Sequence, residues 1–157
     1  MGRVASSRIV QDAIIMGPDA EDAHPDERIR MNFVNTEQAP VPAGHYAQAV
    51  IHHGLVYVSG QLPIDARTGI PAADGDIEMQ GRLALSNVAA IVEAAGSRRD
   101  LVLKVCVYIS DIALWGRFNA VYAEFFGDHT PARAVIPTRD LHHGALVEID
   151  AIAALPE

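Results

Sequence analysis

A chain of 157 residues, 50% of them apolar, has material for one domain with a full core. Its formal net charge of -8 and the lack of any basic run disfavour a protein that binds by neutralising phosphates, so nucleic acid is not an expected partner. One cysteine excludes an intramolecular disulfide framework and fits a reducing, cytoplasmic setting, and no apolar stretch is long enough for a membrane span or a signal-peptide core.

Residues 1–30 stand apart. "GPDAEDAHPDERIR" is acidic, holds two prolines and has neither helical nor strand periodicity. The expectation is a mobile extension or a surface arm, with a passive tail as the plain alternative and the folded domain over 31–157. "MNFVNT" then reads as a short strand and "PVPAG" as a turn. "YAQAVIHHGLVYVSG" reads as two strands joined at His53-Gly54. After the turn-rich "LPIDARTGIPAADGD", "IEMQGRLALSNVAAIVEAAG" places Ile77, Ala84, Leu85, Val88, Ile91, Val92 and Ala95 on one helical stripe that stops at Gly96. "DLVLKVCVYIS" is a strand and "ALWGRFNAVYAEFFG" a second helix ended by glycine. "TPARAVIPTRDLHHGALVEIDAIA" supplies two more strands, turning at "HHG". Pro137 inside the first of these marks an edge or a bulge.

The order β, β, β, α, β, α, β, β predicts an α+β domain: a mixed six-stranded sheet with two helices on one face. In the last strand Val147, Ile149 and Ala151 alternate with Leu146, Glu148 and Asp150. In the hairpin Val56 and Val58 alternate with Leu55, Tyr57 and Ser59. Neither set is simply polar. Two helices cover one face only, so the second is expected to pack on another copy of the chain.

Two charges interrupt the final segment. Glu148 has the parity of the face away from the helices, and Arg133 starts its strand. Two readings stay open: a structural ion pair, or a pocket in which a guanidinium grips a carboxylate while a carboxyl group moves protons.

"APVPAGHYAQAV", "VYVSGQLPID", "NVAAIVEAAG", "VYISDIALWGRFNAVYAEFF" and "PARAVIPTRDLHHGALVEIDAIA" together closely resemble the RidA/YjgF family of enamine/imine deaminases, over residue 31 to about 155. The resemblance implies a chorismate-mutase-like fold assembled as a homotrimer, with sites in clefts between subunits. It implies hydrolysis of 2-aminoacrylate-type imines and enamines to 2-keto acids and ammonia, with no metal or organic cofactor. By position, Arg133 matches the family's carboxylate-binding arginine and Glu148 the glutamate that positions or activates water. Tyr46 matches a tyrosine reaching the site from one side of the interface, and Asn119, Ser59 and Gly60 fall at site-lining positions. Val135 falls where the family uses mainly backbone polar groups. His45 and His142 stand where prolines are common, and the loop before Pro131 is short. These departures bear on the pocket and hence on the natural substrate.

Other features are discounted. His52-His53 and His142-His143 are adjacent pairs whose members would face opposite sides of a strand, and no zinc-like spacing surrounds them. Cys106 reads as a buried, inert thiol. Trp115, Phe118, Tyr122, Phe125 and Phe126 read as a helix packing face. Three other functions remain open beside the general deaminase: a deaminase dedicated to a larger enamine, a non-catalytic binder of carboxylate metabolites, and a ribonuclease, which the net charge disfavours.

Overall fold

The computed structural model describes residues 31–157 and, ahead of them, the strand Ile14–Met16. In chain order the elements are β1 (Ile14–Met16), β2 (Asn32–Asn35), β3 (Ala49–His52), β4 (Leu55–Gln61), α1 (Ile77–Ala94), β5 (Val102–Ile109), α2 (Trp115–Phe126), β6 (Ala132–Pro137) and β7 (Val147–Ala154). The six strands expected after residue 30 are all present, and β1 makes a seventh by pairing antiparallel with β2. The rest of residues 1–30, for which an arm or tail is expected, lies outside the described residues.

The sheet runs β1-β2-β3-β4-β7-β5-β6. All neighbours are antiparallel except β5 and β6, whose parallel pairing requires the crossover that α2 supplies. The last two strands are therefore not a hairpin: β5 lies between them, and His142–Gly144 is a 3-10 turn within a longer connection. β6 is an edge strand, which accommodates Pro137 as its final residue. The β3–β4 connection is a true hairpin. His53 (φ 48) and Gly54 (φ 74) both have positive φ, which matches the twist of antiparallel strands and is cheap for the glycine alone.

α1 begins at Asp76, whose carboxylate accepts from the Met79 N–H, and all seven residues of its expected stripe are buried. α1 packs on β4 and β7 and against α2. Val147, Ile149, Ala151 and Ala153 of β7 and Val105, Val107 and Ile109 of β5 meet the helices from below. Burying a side chain of the size of Ile149 or Phe118 contributes about 1.5–3 kcal/mol, so this layer holds the helices on one face.

No described residue covers the other face. Strand register aligns Phe33, Val50, Tyr57 and Ile152 as one apolar row across four strands. Phe33 and Tyr57 are each 43% exposed. Cys106 also points to this face, half-exposed, and is not the core thiol expected from its strand. The core positions of β5 have the opposite parity. Burial raises the Cys106 thiol pKa, and the nearby Asp150 raises it further.

Four buried amides lock the connections. Gln48 accepts from the Thr36 N–H and donates to the carbonyls of Thr36, Ala39 and Pro40. Asn87 on α1 donates to Leu62 O and Ile64 O. Gln80 donates to Gly75 O and accepts from Leu146 N. Gln61 donates to Ser59 O and Gly60 O. Each satisfies backbone groups that would be costly to leave unpaired near the core.

Candidate active site

Strand register places the two charges. Arg133 pairs with Val105, a core residue on the helix side, and Glu148 pairs with Tyr108, three positions further along β5. Paired residues share a face and successive residues alternate, so Arg133 and Glu148 project from opposite faces of the sheet. An Arg133–Glu148 ion pair within the chain, one of the two open readings, is overturned by this geometry. Each charge instead sits in its own half-site.

The first half-site lies where β6 meets α2. Arg133 Nη2 donates to Asn119 Oδ1 at 2.8 Å, and its guanidinium carbon lies 4.3 Å from the centre of the Tyr122 ring. Asn119 and Tyr122 are on one helix three residues apart, hence on one face, and together they fix the guanidinium plane. A cleft of about 350 Å³ opens beside it, lined by Tyr122, Phe126, Gly127, His129, Thr130 and Arg133 among others. The Tyr122 hydroxyl is buried with no hydrogen-bond partner among the described residues. Burial pushes its pKa up to about 12, against the opposing influence of Arg133. Val135 is half-buried on the same side of β6, paired with Val107 and packed on the core.

The second half-site lies on the uncovered face. A cleft of about 270 Å³ is lined by Glu148, Gly60, Tyr46, Leu62, His142 and His143 with the Pro40–Gly44 turn. The ladder between β4 and β7 slips between Val58 and Gln61, and that irregularity carries Gly60 against the Glu148 side chain. A Cβ at Gly60 would collide with the carboxylate, so only glycine leaves Glu148 its present position. Glu148 is half-buried, and desolvation raises its carboxyl pKa. Asp150, two residues along the same face, adds to the rise, while a charge on His142 opposes it. Asp150 itself accepts a 3.0 Å hydrogen bond from the Tyr108 hydroxyl.

Of the residues singled out from the sequence, Glu148, Gly60 and Tyr46 come together in one half-site, and Arg133 with Asn119 in the other. Ser59 is close by, but its hydroxyl donates to Ala47 O at 2.7 Å and so serves the backbone. Val135 lines neither cleft. Two features escaped the sequence reading. Tyr122 packs as expected, but it also carries the arginine. His142 and His143 are in a turn, not a strand, so facial alternation does not separate them and both reach the Glu148 cleft. Trp115 is 44% exposed and departs from the expected packing face, which Phe118, Tyr122 and Phe126 provide. Among the described residues, no group of three or more His, Cys, Asp or Glu side chains is arranged to hold a metal ion. None of the described helices is long and apolar enough to cross a membrane.

Comparison with known proteins places this geometry. A family profile described as Endoribonuclease L-PSP matches residues 36–155. A RutC family protein of Pyrococcus horikoshii is 44% identical over 118 residues, 75% of this chain and 93% of the relative. The 2-iminobutanoate/2-iminopropanoate deaminase of Salmonella typhimurium is 39% identical over 123 residues, 76% of this chain and 94% of that protein. The crystal structure of E. coli TdcF with bound serine superposes with a TM-score of 0.75 at 35% identity, covering 79% of this chain and 98% of that one.

Proposed function

Because the chain belongs to the Endoribonuclease L-PSP family, the group of RidA, YjgF and RutC proteins, we propose that it hydrolyses reactive 2-imino and 2-enamino carboxylates to 2-keto acids and ammonia. The observation that carries this reading is the Glu148 cleft: a half-buried carboxyl group with a raised pKa, held against Gly60 in a cleft that Tyr46 also lines. The carboxyl group is suited to orienting a water molecule and taking its proton, help worth about 10²- to 10⁴-fold. Arg133 supplies the complementary need. Fixed by Asn119 and Tyr122, its guanidinium presents a rigid fork to a substrate carboxylate.

Since the two half-sites lie on opposite faces, the complete site takes Arg133 from one copy and Glu148 and Tyr46 from the next. The uncovered row of Phe33, Val50, Tyr57 and Ile152 provides apolar surface for that contact, and closure into a homotrimer with three sites matches the family resemblance. The chemistry needs no metal or organic cofactor: water adds to C2 of the imine, the carbinolamine collapses, and ammonia leaves. A ribonuclease reading gains nothing from the site, because no Lys lines either cleft and the chain is acidic.

The test is turnover of imines made in situ by an amino-acid oxidase or dehydratase, with 2-keto acid release followed above the spontaneous rate. Arg133→Lys keeps the charge but loses the fork, so it should raise KM and lower kcat/KM, whereas Glu148→Gln should mainly lower kcat. Equal rates for wild type and both variants, with the oligomer intact, would refute the assignment.

A further inference from the structure

We infer that His142 is the second proton-transfer group of the Glu148 cleft, donating to the substrate nitrogen while Glu148 takes a proton from water. The inference rests on the deaminase reading above and assigns the other half of its proton traffic.

Both side chains line the same cleft, and they reach it from different directions: Glu148 from β7 and His142 from the turn before it. The turn is sharp. His143 is held at φ 60, a left-handed conformation that a residue with a Cβ rarely adopts, and Gly144 follows at φ 69. The Ala145 N–H returns to His142 O at 3.2 Å, and the two imidazole centres lie 6.3 Å apart at the cleft wall. Strain of this kind persists where the surroundings enforce it, and here it keeps two imidazoles beside a carboxyl group.

The electrostatic surroundings suit an imidazolium at His142. The titratable groups of the cleft are Glu148, Tyr46 and His143, and no Lys or Arg lines it. Asp150 and Tyr108 lie next to Glu148 on β7 and β5, and Cys106 and Lys104 follow along β5. A charge on His142 acts on Glu148, opposing the rise that burial gives its carboxyl pKa. Among the residue types that line the cleft, imidazole is the one whose chemistry suits proton transfer near neutral pH.

The proton balance closes. In the first step water forms a C–O bond to C2, its proton goes to the Glu148 carboxylate, the C=N π pair moves to nitrogen, and the His142 imidazolium protonates that nitrogen. In the second step the carbinolamine C–N bond breaks with its electron pair going to nitrogen, which takes the proton from Glu148. The hydroxyl proton passes to neutral His142 as the C=O bond forms. Keto acid and ammonia leave, and both groups return to their starting protonation states. The imidazolium–carboxylate pair is the starting form, so activity needs a pH above the Glu148 pKa and below that of His142.

The experiment uses the full chain and 2-iminopropanoate made from alanine by an amino-acid oxidase, with spontaneous hydrolysis subtracted at each pH. Wild-type kcat/KM should fall on the alkaline side of the optimum, as the imidazolium loses its proton. His142→Gln should lose about 10- to 100-fold at the optimum and lack that fall. His142→Lys should move it toward about pH 10, the range of a lysine ammonium. Independently of turnover, the His142 imidazole followed by NMR should titrate at lower pH in Glu148→Gln than in wild type. A His142→Gln profile identical to wild type, or a His142 midpoint unmoved by Glu148→Gln, would overturn the inference and leave the deaminase reading standing. No wild-type turnover at any pH would overturn both.

Discussion

Arg133 and Glu148 belong to one sheet but point away from each other, the first toward α2 and the second onto the uncovered face. No rotamer change within one chain lets them grip one small molecule. On the shared-site proposal, mixed oligomers report on the site directly. Arg133→Met and Glu148→Gln, each inactive alone, should regain activity when refolded together. With random mixing of two subunit types, about one quarter of intersubunit sites combine an intact arginine with an intact glutamate. Recovery near that fraction of wild-type turnover supports shared sites, and none at all would place the chemistry within a single chain.

Gly60 gives a second handle. A methyl group there meets only the end of the Glu148 side chain, which can swing aside, and the backbone at Gly60 does not require a positive φ. Gly60→Ala should therefore leave the melting temperature nearly unchanged while displacing the carboxylate. The expected result is a drop in kcat of about tenfold or more with an intact oligomer, since misplacing a catalytic group by an ångström is costly.

The raised pKa of Glu148 makes a stability prediction. A carboxyl whose folded pKa lies above its unfolded value binds its proton more tightly when folded. That contribution is fully present below the unfolded pKa and is lost as pH rises through the folded one. At neutral pH the ionised, half-buried carboxylate is thus a liability. Glu148→Gln should raise the melting temperature at pH 7, with the gain shrinking as pH falls through the raised folded pKa and gone below the unfolded value of about 4.5. A structural ion pair would give the opposite sign.

Gln80 bears on the route by which Glu148 is placed. Its side chain is fully buried and joins Gly75 O to Leu146 N, two residues before Glu148. Gln80→Leu should fit the space yet strand both backbone groups, costing about 2–4 kcal/mol by urea unfolding with an unchanged m value. A near-neutral result would mean that water replaces the amide.

Much of this was readable in the sequence, and for physical reasons. The α1 stripe from Ile77 to Ala95 and the β7 alternation around Glu148 are local periodicities, and local periodicity is what a chain prints most plainly. The same parity put Glu148 on the correct face. Pairing was less legible: β6 and β7 follow one another in sequence, but β5 separates them, because a parallel crossover leaves no local mark. Arg133 beside Tyr122 is likewise a contact between elements, and an aromatic at helical spacing looks the same whether it only packs or also bears a guanidinium. The turn at His142–Gly144 is legible in "HHG", but strand alternation is no guide to its two side chains, which both reach one cleft. Gln48, Gln80 and Asn87 carry no periodicity at all, and only their hydrogen bonds show what they hold.

The termination of the sheet at β6 also limits how the protein can associate. That strand is six residues long, begins beside a charged side chain at Arg133 and ends on a proline that has no N–H to offer. A border of this kind resists edge-on addition of strands from other chains, the route by which sheets extend into ribbons and fibrils. On this side of the sheet, contact with another chain is left to the broad faces rather than to a strand edge.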